Sequence, residues 1–107
     1  MSEFNKREEG FEKKFALDEE QRFRAEARRN RLLGLWAAEK LGITGDDATA
    51  YAKEVVAADF EEAGDGDVLR KLMGDFAAKN VAITEQAIRT KMGELIAVAA
   101  AEVKAGK

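Results

Sequence analysis

The sequence predicts an all-α fold, and three observations carry that prediction. None of the 107 residues is proline, so nothing compels a break inside a helix. Strong helix formers dominate and β-branched residues are few. Apolar residues recur at three- and four-residue steps in four stretches, which short links containing Gly, Asn or Thr separate. Four amphipathic helices with short links predict a four-helix bundle, and the chain is long enough for one such core.

The first and longest element centres on Ala25–Gly42, AEARRNRLLGLWAAEKLG. Apolar residues at 32/36, 33/37/41 and 35/38 mark a core-facing side, and Phe23 and Ala27 begin the same stripe upstream. Trp36 is the only tryptophan, so it is expected in the core with Leu32, Leu33 and Leu41. The helix continues through Asp18–Leu41, supported by the pairs Asp18–Arg22 and Glu20–Arg24, and Gly42 supplies a left-handed stop. Gly42–Gly45 makes a tight link, in which Thr44 and Asp47 resemble a capping box.

A second helix is predicted from about Asp46 to Ala63, burying Ala48, Tyr51, Ala52, Val55, Val56 and Phe60. Gly64-Asp65-Gly66 ends it. The third, about Asp67–Lys79, offers Val68, Leu69, Leu72, Met73 and Phe76 and stops at Asn80. Thr84 is placed to cap the last helix, which buries Ile88, Met92, Leu95, Ile96, Ala99 and Val103.

Residues 1–16 differ from the bundle that follows at 17–107. Phe4, Phe11 and Phe15, spaced seven and four apart, fall within about 20° of one helical face. Four acids and four bases surround them, with Gly10 in the middle. The pairs Glu3–Arg7 and Glu9–Lys13 add about 0.2–0.5 kcal/mol each, and Gly10 costs up to about 1 kcal/mol against alanine. A segment this short is at best partly helical without a partner. A single helix from Glu3 to Leu41 would span nearly ~60 Å, about twice the length of anything it could pack against. The segment therefore reads as an arm whose phenylalanines are helix-in-groove anchors, with ordinary core as the alternative.

Cysteine and histidine are both absent, which removes thiolate chemistry, disulfides, Cys/His zinc sites and the Ser-His-Asp triad. Carboxylates are the only acid–base groups left near neutral pH, and no pair of them is forced into a cleft. The chain is therefore expected to be no enzyme and to need no cofactor. A net charge of −3 and pI near 5.1 argue against general phosphate-backbone binding. No apolar signal segment opens the chain, and the longest apolar run, Leu95–Ala101, is far short of the ~20 residues of a span. A soluble, cytoplasmic monomer without membrane insertion is the expectation.

Two further clusters invite chemistry. A calcium loop starting at Asp65 would place Leu69 and Lys71 at ligand positions five and seven and lacks glycine at six, so the acidic run reads as a solvated turn. Arg24, Arg28 and Arg31 share one helical face. Interspersed acids favour a solvated, salt-bridged face there. Docking to an acidic protein surface and nucleic-acid binding are the alternatives.

Three motifs add a resemblance: FxxRE…EKKFAxD at Phe4–Asp18, the Ala25–Gly42 stretch, and GDDATAYAKEVVAADFEEAGDGDV at Gly45–Val68. Over nearly its whole length the chain resembles the ζ subunit of the alphaproteobacterial F-type ATP synthase, a small ATPase-inhibitor family. The resemblance implies a four-helix bundle whose N-terminal segment is mobile when free. On binding, that segment would become a helix wedged at a catalytic α/β interface near the γ subunit, as in the mitochondrial ATPase inhibitor. It places the inhibitory element on Phe4, Arg7, Glu8, Glu12, Lys14 and Phe15. Gly10 and Phe11 depart from the family pattern, with Phe11 adding a further aromatic to the partner-binding set. Binding to the synthase would hold the protein at the cytoplasmic side of the inner membrane.

Overall fold

The computed structural model describes residues 16–58 and 66–106. Four helices account for most of them: α1 (Glu19–Leu41), α2 (Gly45–Ala58), α3 (Gly66–Ala78) and α4 (Glu85–Lys104). They pack together as the all-α fold the periodicity predicts. The helix α1 is the spine, laid extensively against α2 and α4, while α3 bridges α2 and α4 and meets α1 least.

Each end has a local cause. The Asp18 carboxylate accepts from the Gln21 N–H at 2.8 Å, and Gln21 Oε1 accepts from the Asp18 N–H at 3.2 Å. This capping box starts α1 at Glu19. At the other end Gly42 takes φ 78°, and the Ile43 N–H reaches back to the Ala38 carbonyl at 2.8 Å. The box expected at Thr44 and Asp47 is not formed. Gly45 opens α2 with φ 60°, outside the helical region, and the Thr44 carbonyl accepts the ordinary first helical bond from the Ala48 N–H at 3.4 Å. Asn80 stops α3 in the left-handed region at φ 58°, and the Val81 N–H bonds the Phe76 carbonyl at 2.8 Å. Thr84 Oγ1 caps α4 by accepting from the Ala87 N–H at 3.1 Å.

The described core falls into two clusters. The larger joins Leu33, Ala37 and Ala38 of α1 to Tyr51 and Val55, to Val68, Leu69, Leu72 and Phe76, and to Ile88 and Met92. The smaller packs Leu17 and Ala25 against Ala99, Ala100 and Val103 of α4. Leu95 and Ile96, expected in the core, pack at its margin.

Two expectations for α1 are corrected. Trp36 is not the centre of the core: it is half-buried, set edge-on to Phe76 with centroids 6.0 Å apart. Its ring also lies 5.9 Å from Lys91 Nζ. Fully buried Leu33, Leu72 and Ile88, with Phe76 beside them, take the centre, while Leu32 and Leu41 are half-buried. An indole with an N–H and a large ring sits more readily at a rim than in a closed interior.

Phe23 is 57% exposed instead of buried. The backbones of α1 and α2 cross where Gly34 meets Ala52. From there Phe23 lies roughly 16 Å up α1, and the described part of α2 runs about 9 Å, to Ala58.

Candidate functional site

The residues singled out for partner binding, Phe4, Arg7, Glu8, Phe11, Glu12, Lys14 and Phe15, all lie outside the described residues, as does Phe60. The structure describes the point where their segment joins the bundle. Ala16 has φ 53°, and Asp18 is extended with ψ 176°. Neither conformation is helical, so α1 does not run on upstream as one helix from Glu3. Between them Leu17 is buried among Ala25, Ala99, Ala100 and Val103. The join is therefore both turned and pinned: an apolar side chain fixes it to α1 and α4, and the capping box restarts the helix.

Beside this join lies a groove of about 540 Å³. Phe23, Ala27, Val56 and Val103 supply its apolar lining, and Arg24, Arg28 and Arg31 its charged one. The arginine face is salt-bridged in part, as the interspersed acids led one to expect. Arg24 pairs with Glu20 at 3.0 Å along α1, and Arg28 with Glu102 of α4 at 3.4 Å. Arg31 has no ion pair among the described residues. Such exposed pairs contribute little to stability. Sequence reading missed the groove because it placed Phe23 in the core.

Arg29 is the exception in the cluster. It is buried, and its Nε and one terminal nitrogen donate to Asn30 Oδ1 at 3.1 and 2.8 Å. Helical phase alone separates it from Arg28, because the next residue along turns by about 100° toward the interior.

On the far side, Tyr51 donates its hydroxyl to Asp75 at 2.6 Å, joining α2 to α3. Lys71 closes the group, 3.1 Å from Asp75 and 3.6 Å from Glu54. Burial pushes the Tyr51 phenol well above its ordinary value, reinforced by its bond to Asp75 and by the charges of Asp75 and Glu54. Asp67, from the acidic run, spends its carboxylate on Arg70 within the first turn of α3. No group of three or more potential metal ligands occurs among the described residues.

A helical spine with a pinned N-terminal join and a charged apolar groove is suited to gripping another protein. Comparison with known proteins is specific. No curated protein matches the chain. A solved structure described as a solution NMR structure is 54% identical, covers 79% of this chain and 96% of its own, and superposes with a TM-score of 0.70. The family described as ATPase inhibitor subunit zeta matches residues 1–102, and that span places the chain in the zeta family, as a non-enzymatic inhibitor that binds the F-type ATPase.

Proposed function

We propose that the chain blocks ATP hydrolysis by wedging its N-terminal arm, as a helix, into a catalytic α/β interface near the γ subunit. In this reading residues 1–16 are the effector and residues 17–107 the handle. The observation that carries it is the join: Leu17 is held in the bundle, and α1 starts afresh behind Asp18. A wedge needs a fixed root, or the free energy of inserting it is dissipated in a loose tether. Phe4, Phe11 and Phe15 act as the apolar anchors, and Arg7, Glu8, Glu12 and Lys14 make the polar contacts around them. No helix among the described residues is long and apolar enough to cross a membrane. The protein acts as a free monomer that docks peripherally at the cytoplasmic side of the inner membrane, through the synthase.

The test is titration of ATP hydrolysis by the isolated catalytic head. Phe4→Ala and Phe15→Ala should each weaken inhibition, as loss of a buried anchor does. Gly10→Ala should strengthen it up to about fivefold by removing a helix penalty from the ordering step. Unchanged titration curves for both phenylalanine variants would remove the arm from the mechanism.

A further inference from the structure

We infer that the end of the bundle next to the arm opens as a unit of its own, at a break formed by Arg29 and Asn30 on α1 and Gly93 on α4. The unit holds Leu17, α1 upstream of Asn30 and α4 from Gly93 onward. Its opening frees the root of the arm while the main core stays folded.

Three observations converge on it. The first is the division of the described core. Along α1, Ala25 belongs to the smaller cluster and Leu33, Ala37 and Ala38 to the larger. Along α4, Ile88 and Met92 side with the larger, and Ala99, Ala100 and Val103 with the smaller. Arg28 meets Glu102 and Trp36 meets Lys91, so the two helices run antiparallel. The division therefore falls at a similar level on both.

The second is what occupies that level on α1. Arg29 and Asn30, 6% and 0% exposed, stand between Ala25 and Leu33. Asn30 Oδ1 accepts two bonds from Arg29, but Asn30 Nδ2 is buried with no hydrogen-bond partner. A buried donor left unbonded costs free energy in the closed form and recovers it on reaching water. This layer favours opening, unlike the apolar layers on either side.

The third is Gly93, which lies inside α4 in the interval between Met92 and Ala99. Gly34 is required by a close backbone approach, whereas a Cβ on Gly93 would meet nothing within 4 Å. Packing does not call for this glycine, and its backbone freedom weakens the helix around it. The helix α4 is thus soft where its apolar side chains pass from one cluster to the other.

Folded proteins open in contiguous cooperative units, bounded where packing is poor. The closed form fixes Leu17, as a wedge needs, and the open form lengthens the reach of the arm during its search for a site. That use of the opening rests on the arm being the effector; the opening itself does not.

Amide hydrogen exchange of the free, full-length protein, resolved by residue at low denaturant, is the test. Corrected for intrinsic rates, the amides of Ala25–Arg28 and Ala100–Val103 should share one opening and exchange at least about tenfold faster than those of Ala37, Ala38, Val55 and Met92. Gly93→Ala should slow the arm-proximal amides by up to about fivefold, the worth of the removed helix penalty. Gly74→Ala, at an equally open position in α3, should slow only the main-core amides, because α3 stays folded when the end opens. Replacing the polar layer with Arg29→Met and Asn30→Leu together should slow the arm-proximal amides about tenfold or more. Should that double variant fail to fold, the two glycine variants decide; if it folds with those rates unchanged, the inference fails. Exchange of both sets through one common opening overturns it. So do rates that fall steadily inward from Glu19 and from Lys104, which is fraying of helix ends. Equal slowing of the arm-proximal amides by Gly74→Ala and Gly93→Ala overturns it as well, by placing α3 in the same unit. The measurement needs no catalytic head, so its outcome stands apart from whether the arm is the wedge.

Discussion

Gly34 and Ala52 meet backbone to backbone: a Cβ added to Gly34 would stand 2.6 Å from the Cα of Ala52 and 3.2 Å from Val55 Cγ2. Nothing at that distance can yield without moving a helix, because the nearest atom is main chain. The contact sets how closely α1 and α2 approach. Gly34→Ala should therefore destabilise the bundle by about 1–3 kcal/mol, although alanine is the better helix former by about 1 kcal/mol. Denaturant unfolding measures this directly. A stabilised variant would mean that the two helices slide apart freely.

The aromatic pair gives a graded test of the core. Phe76 is buried at its centre and Trp36 sits at its rim. Phe76→Ala should cost about 3–5 kcal/mol, as fully buried aromatics do, and Trp36→Ala distinctly less. Equilibrium unfolding by circular dichroism ranks them, and the reverse order would put the indole back at the centre.

Much of this fold was legible in the sequence, and the misses share a cause. Gly42, Asn80 and Thr84 announce their ends because each has a local, conformational role: positive φ for the first two, an Oγ acceptor for the third. Leu33, Leu72, Phe76 and Ile88 follow from helical phase. Phase does not say which apolar positions a neighbouring element covers, so Phe23 reads as core although it is 57% exposed. Size and hydrophobicity alone drew Trp36 inward, whereas packing places it by the shape of the space between α1 and α3. The groove depends on three helices at once and has no one-dimensional signature. The family, by contrast, was readable from contiguous motifs without any of this geometry.

Tyr51 carries a pH dependence of definite sign. Its phenol is raised in the folded state by burial and by its bond to Asp75, against an ordinary value of 10.0. The folded form therefore holds the proton more tightly than the unfolded form. The stabilisation is fully present below pH ~10 and is lost as pH rises beyond that. Tyr51→Phe removes the hydroxyl and should cost about 1 kcal/mol near neutrality. Above pH ~10 the stability gap between parent and variant should shrink and then reverse. Parallel unfolding curves from pH 7 to 12 provide the check, and a gap independent of pH would show that the phenol is solvated.

The join between arm and handle makes the sharpest prediction, because it separates residues two positions apart. Removing residues 1–15 leaves Leu17 in its pocket and the Asp18–Gln21 box intact. Such a protein should melt close to the parent temperature and yet no longer inhibit ATP hydrolysis. Removing residues 1–18 takes away a buried leucine, worth about 1.5–3 kcal/mol, and a helix cap worth about 1 kcal/mol. That protein should lose about 2–4 kcal/mol, a substantial share of the 5–15 kcal/mol typical of a small domain. Asp18→Ala alone should account for the smaller part. Melts and hydrolysis titrations of the three variants together fix the boundary. If the shorter truncation already lowers stability as much as the longer one, the upstream phenylalanines are core. If either truncated protein inhibits as well as the parent, the wedge lies elsewhere in the chain.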